Sequence, residues 1–292
     1  GSPSVIEGAS ATYTIALTNP AQTAVTVNLT YTVTSADGSD YTGVASVVIP
    51  ANSNSASFSI PTIDDNSAEG PETFTVAIST VTGGNFENLV TSVASGSVTT
   101  TIVDNDGPPT IASVSPASTT EGGNLVHTVT LSNSSATPMT YTFAVGFGNA
   151  SAGDIGAPVF GAGVTDNGNG TITVAPGVTS FTVNIPTIDD ALNEPAETTT
   201  LNVGGVTGIG TILDNDPQPS LSVNDVTLNE AAGTITFTLS LSAASGQAFT
   251  VGYNAPAGVA TRPAYIAAGA TALAGTLTFS TGVTTQNVHL PI

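Results

Sequence analysis

The chain is a succession of short stretches in which every second residue is apolar. Tyr13, Ile15 and Leu17 alternate with Thr and Ala; Val27, Leu29, Tyr31 and Val33 alternate with Asn and Thr. The same period recurs at Phe74-Val76-Ile78, Val129-Leu131, Tyr141-Phe143-Val145, Phe181-Val183-Ile185 and Ile235-Phe237-Leu239. An extended backbone sends successive side chains to opposite faces, so each stretch predicts a short, half-buried strand. Gly, Pro, Asn and Asp fill the gaps and predict turns. Asp166-Asn-Gly-Asn-Gly170, ahead of Thr171-Ile172-Thr173-Val174, predicts a hairpin turn, because such turns need residues that tolerate positive φ. No stretch has the period of an amphipathic helix. Many short antiparallel strands at this spacing predict an all-β protein made of β-sandwiches.

The pattern repeats. Ser4-Val-Ile-Glu7-Gly8 returns as Thr119-Thr-Glu121-Gly122 and, more loosely, as Leu228-Asn-Glu230-Ala231. Ile60-Pro-Thr-Ile-Asp-Asp65 returns as Ile185-Pro-Thr-Ile-Asp-Asp190, and Ile102-Val-Asp-Asn-Asp106 as Ile212-Leu-Asp-Asn-Asp216. Each Asp-Asn-Asp precedes a proline-containing step, Gly107-Pro-Pro109 or Pro217-Gln-Pro219, and then a fresh strand pattern. The expected units are therefore 1–106, 107–216 and 217–292, joined by short, proline-stiffened steps. The third ends where the others reach Ile-Pro-Thr-Ile-Asp-Asp. It is expected to be the N-terminal part of a sandwich, truncated or completed elsewhere.

Charge narrows the function. Only 8% of residues are charged, and 21 acids face a single base, Arg262, for a net charge of −20. Average soluble domains carry roughly 25% charged residues of both signs. Binding to nucleic acid or anionic membrane needs Lys and Arg, so neither is expected. There is no apolar run long enough to span a bilayer. Cysteine is absent, which removes disulfides, thiol nucleophiles and Cys-based zinc sites.

The acids are not scattered. The first unit has Glu7, Asp40, Asp64, Asp65, Glu69, Glu72, Asp104 and Asp106; the second has Glu121, Asp154, Asp189, Asp190, Glu194, Glu197, Asp214 and Asp216. Sixteen of 21 acids thus occupy matching places, and the spacing Asp-Asp-x3-Glu-x2-Glu is identical in both units. Eight carboxylates on neighbouring loops repel one another unless cations join them. Calcium takes six to eight oxygen ligands in flexible geometry, whereas magnesium demands octahedral geometry and zinc favours His or Cys. These sixteen residues are therefore the candidate Ca²⁺ ligands. Solvated turn acids are the plainer alternative, since Asp favours turns.

The Glu-Gly opening, the Asp-Tyr of Gly38-Ser39-Asp40-Tyr41, the Ile-Asp-Asp-x3-Glu-x2-Glu loop and the closing Asp-Asn-Asp resemble Calx-beta domains. That resemblance implies an immunoglobulin-like sandwich whose acids ligate a calcium cluster at one tip. The second unit, with Asp166-Asn-Gly-Asn-Gly-Thr-Ile-Thr-Val174, is similar to repeats of LapA-type giant RTX adhesins. This implies extracellular, type I-secreted extender repeats on a bacterial surface, serving adhesion and biofilm formation, with neighbouring repeats as partners. Two departures stand out. Gly153-Asp154-Ile155 lacks the tyrosine but keeps the ligand. Arg262-Pro-Ala-Tyr265 puts Ala264 in the ligand's place, so the third unit is expected to lack a complete site.

Enzymatic chemistry is not expected. His127 lies in a strand pattern with Val129 and Leu131, and His289 alternates with Val288 and Leu290, facing outward. Paired carboxylates could serve a glycosidase, but their repetition points to architecture, and there is no Trp to form a sugar platform. Two other readings remain open. One is a ligand-binding module that uses calcium to bridge to a surface, sugar or protein. The other is a calcium sensor.

Overall fold

The computed structural model describes residues 4–254 and 274–291. Every regular element among them is a strand, apart from one 3-10 turn at Glu230–Ala232. The first strands are β1 (Ser4–Ile6), β2 (Ser10–Ala16), β3 (Val25–Val33), β4 (Ser46–Ile49), β5 (Ser55–Pro61), β6 (Ser67–Ala68), β7 (Glu72–Gly83) and β8 (Ser97–Val103). Next come β9 (Ile111–Val114), β10 (Ala117–Thr120), β11 (Asn124–Leu131), β12 (Ser134–Ser135), β13 (Met139–Gly146), β14 (Val159–Phe160), β15 (Val164–Asp166) and β16 (Thr171–Val174). They are followed by β17 (Ser180–Pro186), β18 (Leu192–Asn193), β19 (Glu197–Val203), β20 (Val206–Leu213), β21 (Leu221–Val223), β22 (Thr234–Leu241), β23 (Ala244–Ser245), β24 (Phe249–Asn254), β25 (Ala274–Phe279) and β26 (Thr285–Pro291). The chain is all-β, a tandem of immunoglobulin-like sandwiches. Its residues group into two compact units: 1–112, 130–141 and 163–180 in one, and 113–129, 142–162 and 181–292 in the other.

In the first unit a five-stranded sheet runs β1-β8-β7-β3-β4, with the ribbon β2-β5 as its companion. Strand β1 pairs parallel with β8, Val5 opposite Ile102, which brings Glu7 beside the acids that follow Val103. Alternation along β2, β5, β7 and β8, with Ala36 and Tyr41 from the loop after β3, buries one core cluster of Ala11, Tyr13, Ala36, Tyr41, Ile60, Phe74, Val76 and Ile102. The rings of Tyr41 and Phe74 stack at 4.2 Å, and the Tyr13 hydroxyl hydrogen-bonds to Thr100 Oγ1. Buried aromatics combine large apolar area with favourable ring contacts, so this cluster anchors the loop that carries Asp40. The expected hairpin is present: β15 pairs antiparallel with β16, Asp166 opposite Ile172, and Gly168 and Gly170 supply positive φ.

In the second unit β10 pairs parallel with β20, β20 antiparallel with β19, and β19 antiparallel with β13. The β10-β20 ladder repeats β1-β8, again placing a glutamate, Glu121, beside an Asp-Asn-Asp segment. Strand β22 carries β21 on one edge and β26 on the other, while β24 pairs with β25. Leu239, Leu241, Phe279 and Val288 form their core. His127 is fully buried and its Nδ1 donates to the Ser115 carbonyl at 2.7 Å. His289 is exposed on β26, within 2.9 Å of Thr236 Oγ1. Both imidazoles hold strands, as their place in the alternation predicts. Arg262, Ala264 and Tyr265 lie outside the described residues.

Candidate metal centre

Backbone geometry builds the acidic region of each repeat from four chain segments. Gly8 and Gly122 take φ of 75° and 76°, a conformation that L side chains rarely adopt. A Cβ on Gly8 would stand 3.0 Å from Asp64 Cβ, and one on Gly122 would stand 3.1 Å from Asp189 Cβ. The Glu-Gly pair is thus needed to swing the glutamate in while the Asp-Asp loop passes close behind. The isolated bridges Tyr41↔Thr62 and Ile155↔Thr187 fix the Asp40 and Asp154 loops against the same Asp-Asp segments. Asp154 therefore keeps its position although Ile155 replaces the tyrosine.

Four carboxylate trios result. In each, one ligand atom per residue lies within 4.8 Å of the others: Glu7-Asp104-Asp106, Asp40-Glu69-Glu72, Glu121-Asp190-Asp216 and Asp154-Glu194-Glu197. In the first unit Glu7 and Asp104 of one trio and all three residues of the other line one recess, together with Ile63, Gly70 and Ile102. Twelve of the sixteen expected ligands are thereby brought together. The other four support them. Asp64 Oδ1 accepts from Asn105 Nδ2 at 2.9 Å, and Asp189 Oδ1 accepts from Asn215 Nδ2 at 2.8 Å. Asp65 Oδ1 accepts from Ser67 N–H at 2.7 Å, and Asp214 Oδ2 from Asn193 Nδ2 at 2.6 Å. The two units differ in one detail: Asp104 joins the first trio, whereas Asp190 holds the corresponding place in the second unit. Asp37, outside the repeat scheme, caps a turn by accepting from Ser39 Oγ at 2.6 Å and Ser39 N–H at 2.7 Å, which together hold its carboxyl below the usual range.

The residues that sequence reasoning missed are amides. Asn105 and Asn215 each sit inside Asp-Asn-Asp and donate through side chain to the Asp-Asp loop, with Asn215 N–H also reaching Glu121 Oε1 at 3.0 Å. Their recurrence in both motifs was the available signal.

Among the described residues no cationic side chain enters these trios, and like charges crowd them. Burial, followed by the shared proton with Asp40 and that group's charge, pushes Glu72 up to about 7. Burial, followed by the charge of Asp154, pushes Glu197 up to about 7. Glu7, Glu69, Glu121 and Glu194 are raised for the same leading reason. Asp106 Oδ2 and Asp216 Oδ2 are buried without a hydrogen-bond partner. A buried carboxylate oxygen normally finds a donor or a cation. All-oxygen donors, two orphaned carboxylate atoms and uncompensated charge fit a hard divalent ion, and a flexible, carboxylate-rich set fits calcium better than magnesium.

A pH dependence follows. A carboxyl whose folded pKa stands above its unfolded value of 4.5 binds protons more tightly in the folded chain. The stability it contributes is fully present below about pH 4.5 and is lost as pH rises through about 7. Metal-free chain should therefore melt at a higher temperature near pH 5 than near pH 8, while calcium affinity changes in the opposite direction. Melts in EDTA across that range check this, and a flat profile would contradict it.

The junction segments share this machinery. Ser67 and Ala68, between Asp65 and Glu69, pair parallel with Ser134 and Ser135. Leu192 and Asn193, between Asp190 and Glu194, pair likewise with Ala244 and Ser245. Asn133 Nδ2 donates to the Gly107 carbonyl at 2.8 Å, and Asn193 Nδ2 to the Asp216 carbonyl at 3.1 Å.

Residues 1–105 match the family profile of the LapA domain, and residues 166–208 and 214–292 match that of the Calx-beta domain. No curated protein sequence matches the chain. Among solved structures, the calcium binding domain CBD12 of CALX1.1 is 16% identical, over 69% of this chain and 77% of its own, with a TM-score of 0.32. The apo-form Calx CBD1 domain is 21% identical over 36% of this chain and 92% of its own, with a TM-score of 0.32. An I-band fragment of titin is 10% identical over 99% and 85%, with a TM-score of 0.25. Superpositions this loose say nothing about chemistry; the two profiles, with the strand pairing and repeated acidic loops, decide the matter. The chain carries a LapA domain match over 1–105 and Calx-beta matches over 166–208 and 214–292, an adhesin-like region of immunoglobulin-like repeats.

Proposed function

We propose that these repeats are calcium-rigidified extenders of a large bacterial surface adhesin, working outside the cell in attachment and biofilm formation. One observation supports this above the others. The backbone between the Asp-Asp pair and the first glutamate of each loop is also the strand that holds the following repeat. Calcium at Glu7-Asp104-Asp106 and Asp40-Glu69-Glu72, and at the matching trios of the second unit, would neutralise the carboxylates and fix that segment. An ion bound there sets the order of the junction as well as of the loop. The chain's other residues do no chemistry in this reading: they are a neutral, Thr-rich surface carrying a load.

The test is small-angle scattering of the chain in EDTA, in millimolar Ca²⁺ and in millimolar Mg²⁺. Calcium should lengthen the maximum dimension and sharpen the distance distribution, with magnesium close to EDTA. Superimposable curves in all three would overturn the rigid-extender reading.

A further inference from the structure

The tip of the β15–β16 hairpin carries two Asn-Gly pairs in a row, Asn167-Gly168 and Asn169-Gly170, and all four residues are exposed. The backbone nitrogen that follows an asparagine is placed to close a five-membered ring on the side-chain carbonyl carbon, and glycine has no Cβ to crowd that approach. By sequence the two pairs are equivalent. The hydrogen bonds around them are not.

At the first pair every reacting group is held. Gly168 N–H donates to Asp166 Oδ1 at 2.8 Å. Asn167 Nδ2 donates to Thr171 Oγ1 at 2.9 Å and to Thr173 Oγ1 at 3.1 Å, and Asn167 Oδ1 accepts from Thr173 Oγ1 at 3.2 Å. At the second pair, Gly170 N–H and Asn169 Nδ2 have no acceptor among the described residues. Asn169 Oδ1, by contrast, accepts twice, from Thr171 Oγ1 at 2.6 Å and from Thr171 N–H at 3.2 Å. Two donors on a carbonyl oxygen draw electrons from its carbon and stabilise the negative charge that attack on the carbon places on that oxygen. Nucleophile and leaving group are free, and the electrophile is polarised.

We propose that Asn169 is a self-deamidation site and that Asn167, two residues away, is protected. The Gly170 nitrogen loses its proton to solvent and bonds to Asn169 Cγ. The Cγ–Nδ2 bond breaks, and the amide nitrogen takes up a proton and leaves as ammonia. Water then opens the resulting succinimide at either carbonyl, giving aspartate or isoaspartate. One water is consumed and one ammonia released, with no oxidation or reduction. Aspartate adds a carboxylate at the tip that already carries Asp166. Isoaspartate routes the main chain through the former side-chain carbon, lengthening the turn by one atom beside the ladder in which Asp166 faces Ile172. The site is independent of the acidic trios and stands whether or not these bind calcium.

The test is ageing of the intact chain at mildly basic pH, folded and, in parallel, unfolded in urea with EDTA. Electron-transfer fragmentation in a mass spectrometer then locates each amide-to-acid conversion and tells isoaspartate from aspartate. In urea the two Asn-Gly pairs should convert alike, whereas in the folded chain Asn169 should convert at least about tenfold faster than Asn167. Thr171→Val removes one of the two donors and should slow Asn169 by about tenfold. Asp166→Ala frees Gly168 N–H and should speed Asn167 while leaving Asn169 unchanged. Equal rates at the two positions of the folded chain, a faster Asn167, or an Asn169 that keeps its amide after the urea sample has converted would each overturn the site.

Discussion

Melted in EDTA, in millimolar Mg²⁺ and in millimolar Ca²⁺, the chain will show nearly the same transition in the first two and a much higher one in the third. A ligand that binds only the folded state stabilises it by about 2.7 kcal/mol per site when present at a hundred times its Kd. Each of the first two repeats holds two trios. Two filled sites thus contribute about 5 kcal/mol to a repeat of roughly a hundred residues. One kcal/mol moves such a domain by about 4–8 °C, so a shift on the order of 20 °C is expected. Metal-free, the same trios are a burden, because burial and then the neighbouring carboxyl groups push Glu72 and Glu197 up to about 7. Glu72→Gln should therefore reverse sign with the medium: it relieves repulsion in EDTA and removes a ligand in calcium. A calcium melt that coincides with the EDTA melt would remove the calcium assignment, leaving the acids as solvated turn residues.

Phe74→Ala should nearly abolish folding of the first repeat. Phe74 is fully buried near the start of β7, stacked on Tyr41 and 6.5 Å from the ring of Tyr31. Truncating a buried Phe costs about 3–5 kcal/mol in lost transfer energy and residual cavity. Single domains hold only about 5–15 kcal/mol in all. The damage also reaches Asp40, whose loop rests on the Tyr41 ring. The same position in the second repeat, two residues after its glutamate, is Thr199, and Thr199→Ala should change stability far less. Urea unfolding of the two variants with calcium present measures the contrast; equal losses would disprove the role assigned to the Tyr41-Phe74 stack.

That contrast also marks what the sequence could and could not reveal. Alternation located β2, β3, β7, β17 and β22, because one face of each is pressed into a core and period 2 records this directly. Phe181, Val183 and Ile185 are all buried as that period requires, yet Val33 at the end of β3 is 56% exposed, since alternation cannot tell where a strand leaves the core. The parallel β1-β8 and β10-β20 ladders were invisible, because strand partners far apart in sequence leave no local signature. So were the two-residue ladders at the junctions, which are too short to show a period. Twelve of the sixteen candidate acids gather into trios. The sequence did not separate Asp65 from its neighbours, however, because which Asp turns inward depends on backbone turns such as the one Ser67 N–H closes. Asn105 and Asn215 escaped notice because uncharged amides do not stand out in a search for charge.

The junction ladders have a further mechanical meaning. Each junction is crossed twice: once by the covalent backbone through Gly107-Pro-Pro109 or Pro217-Gln-Pro219, and once by Ser67–Ala68 on Ser134–Ser135 or Leu192–Asn193 on Ala244–Ser245. A link held by one thread swivels freely, whereas a link pinned at two points resists torsion. In the extender proposed above, a twist applied at one end would pass from repeat to repeat instead of being dissipated as rotation at the joints.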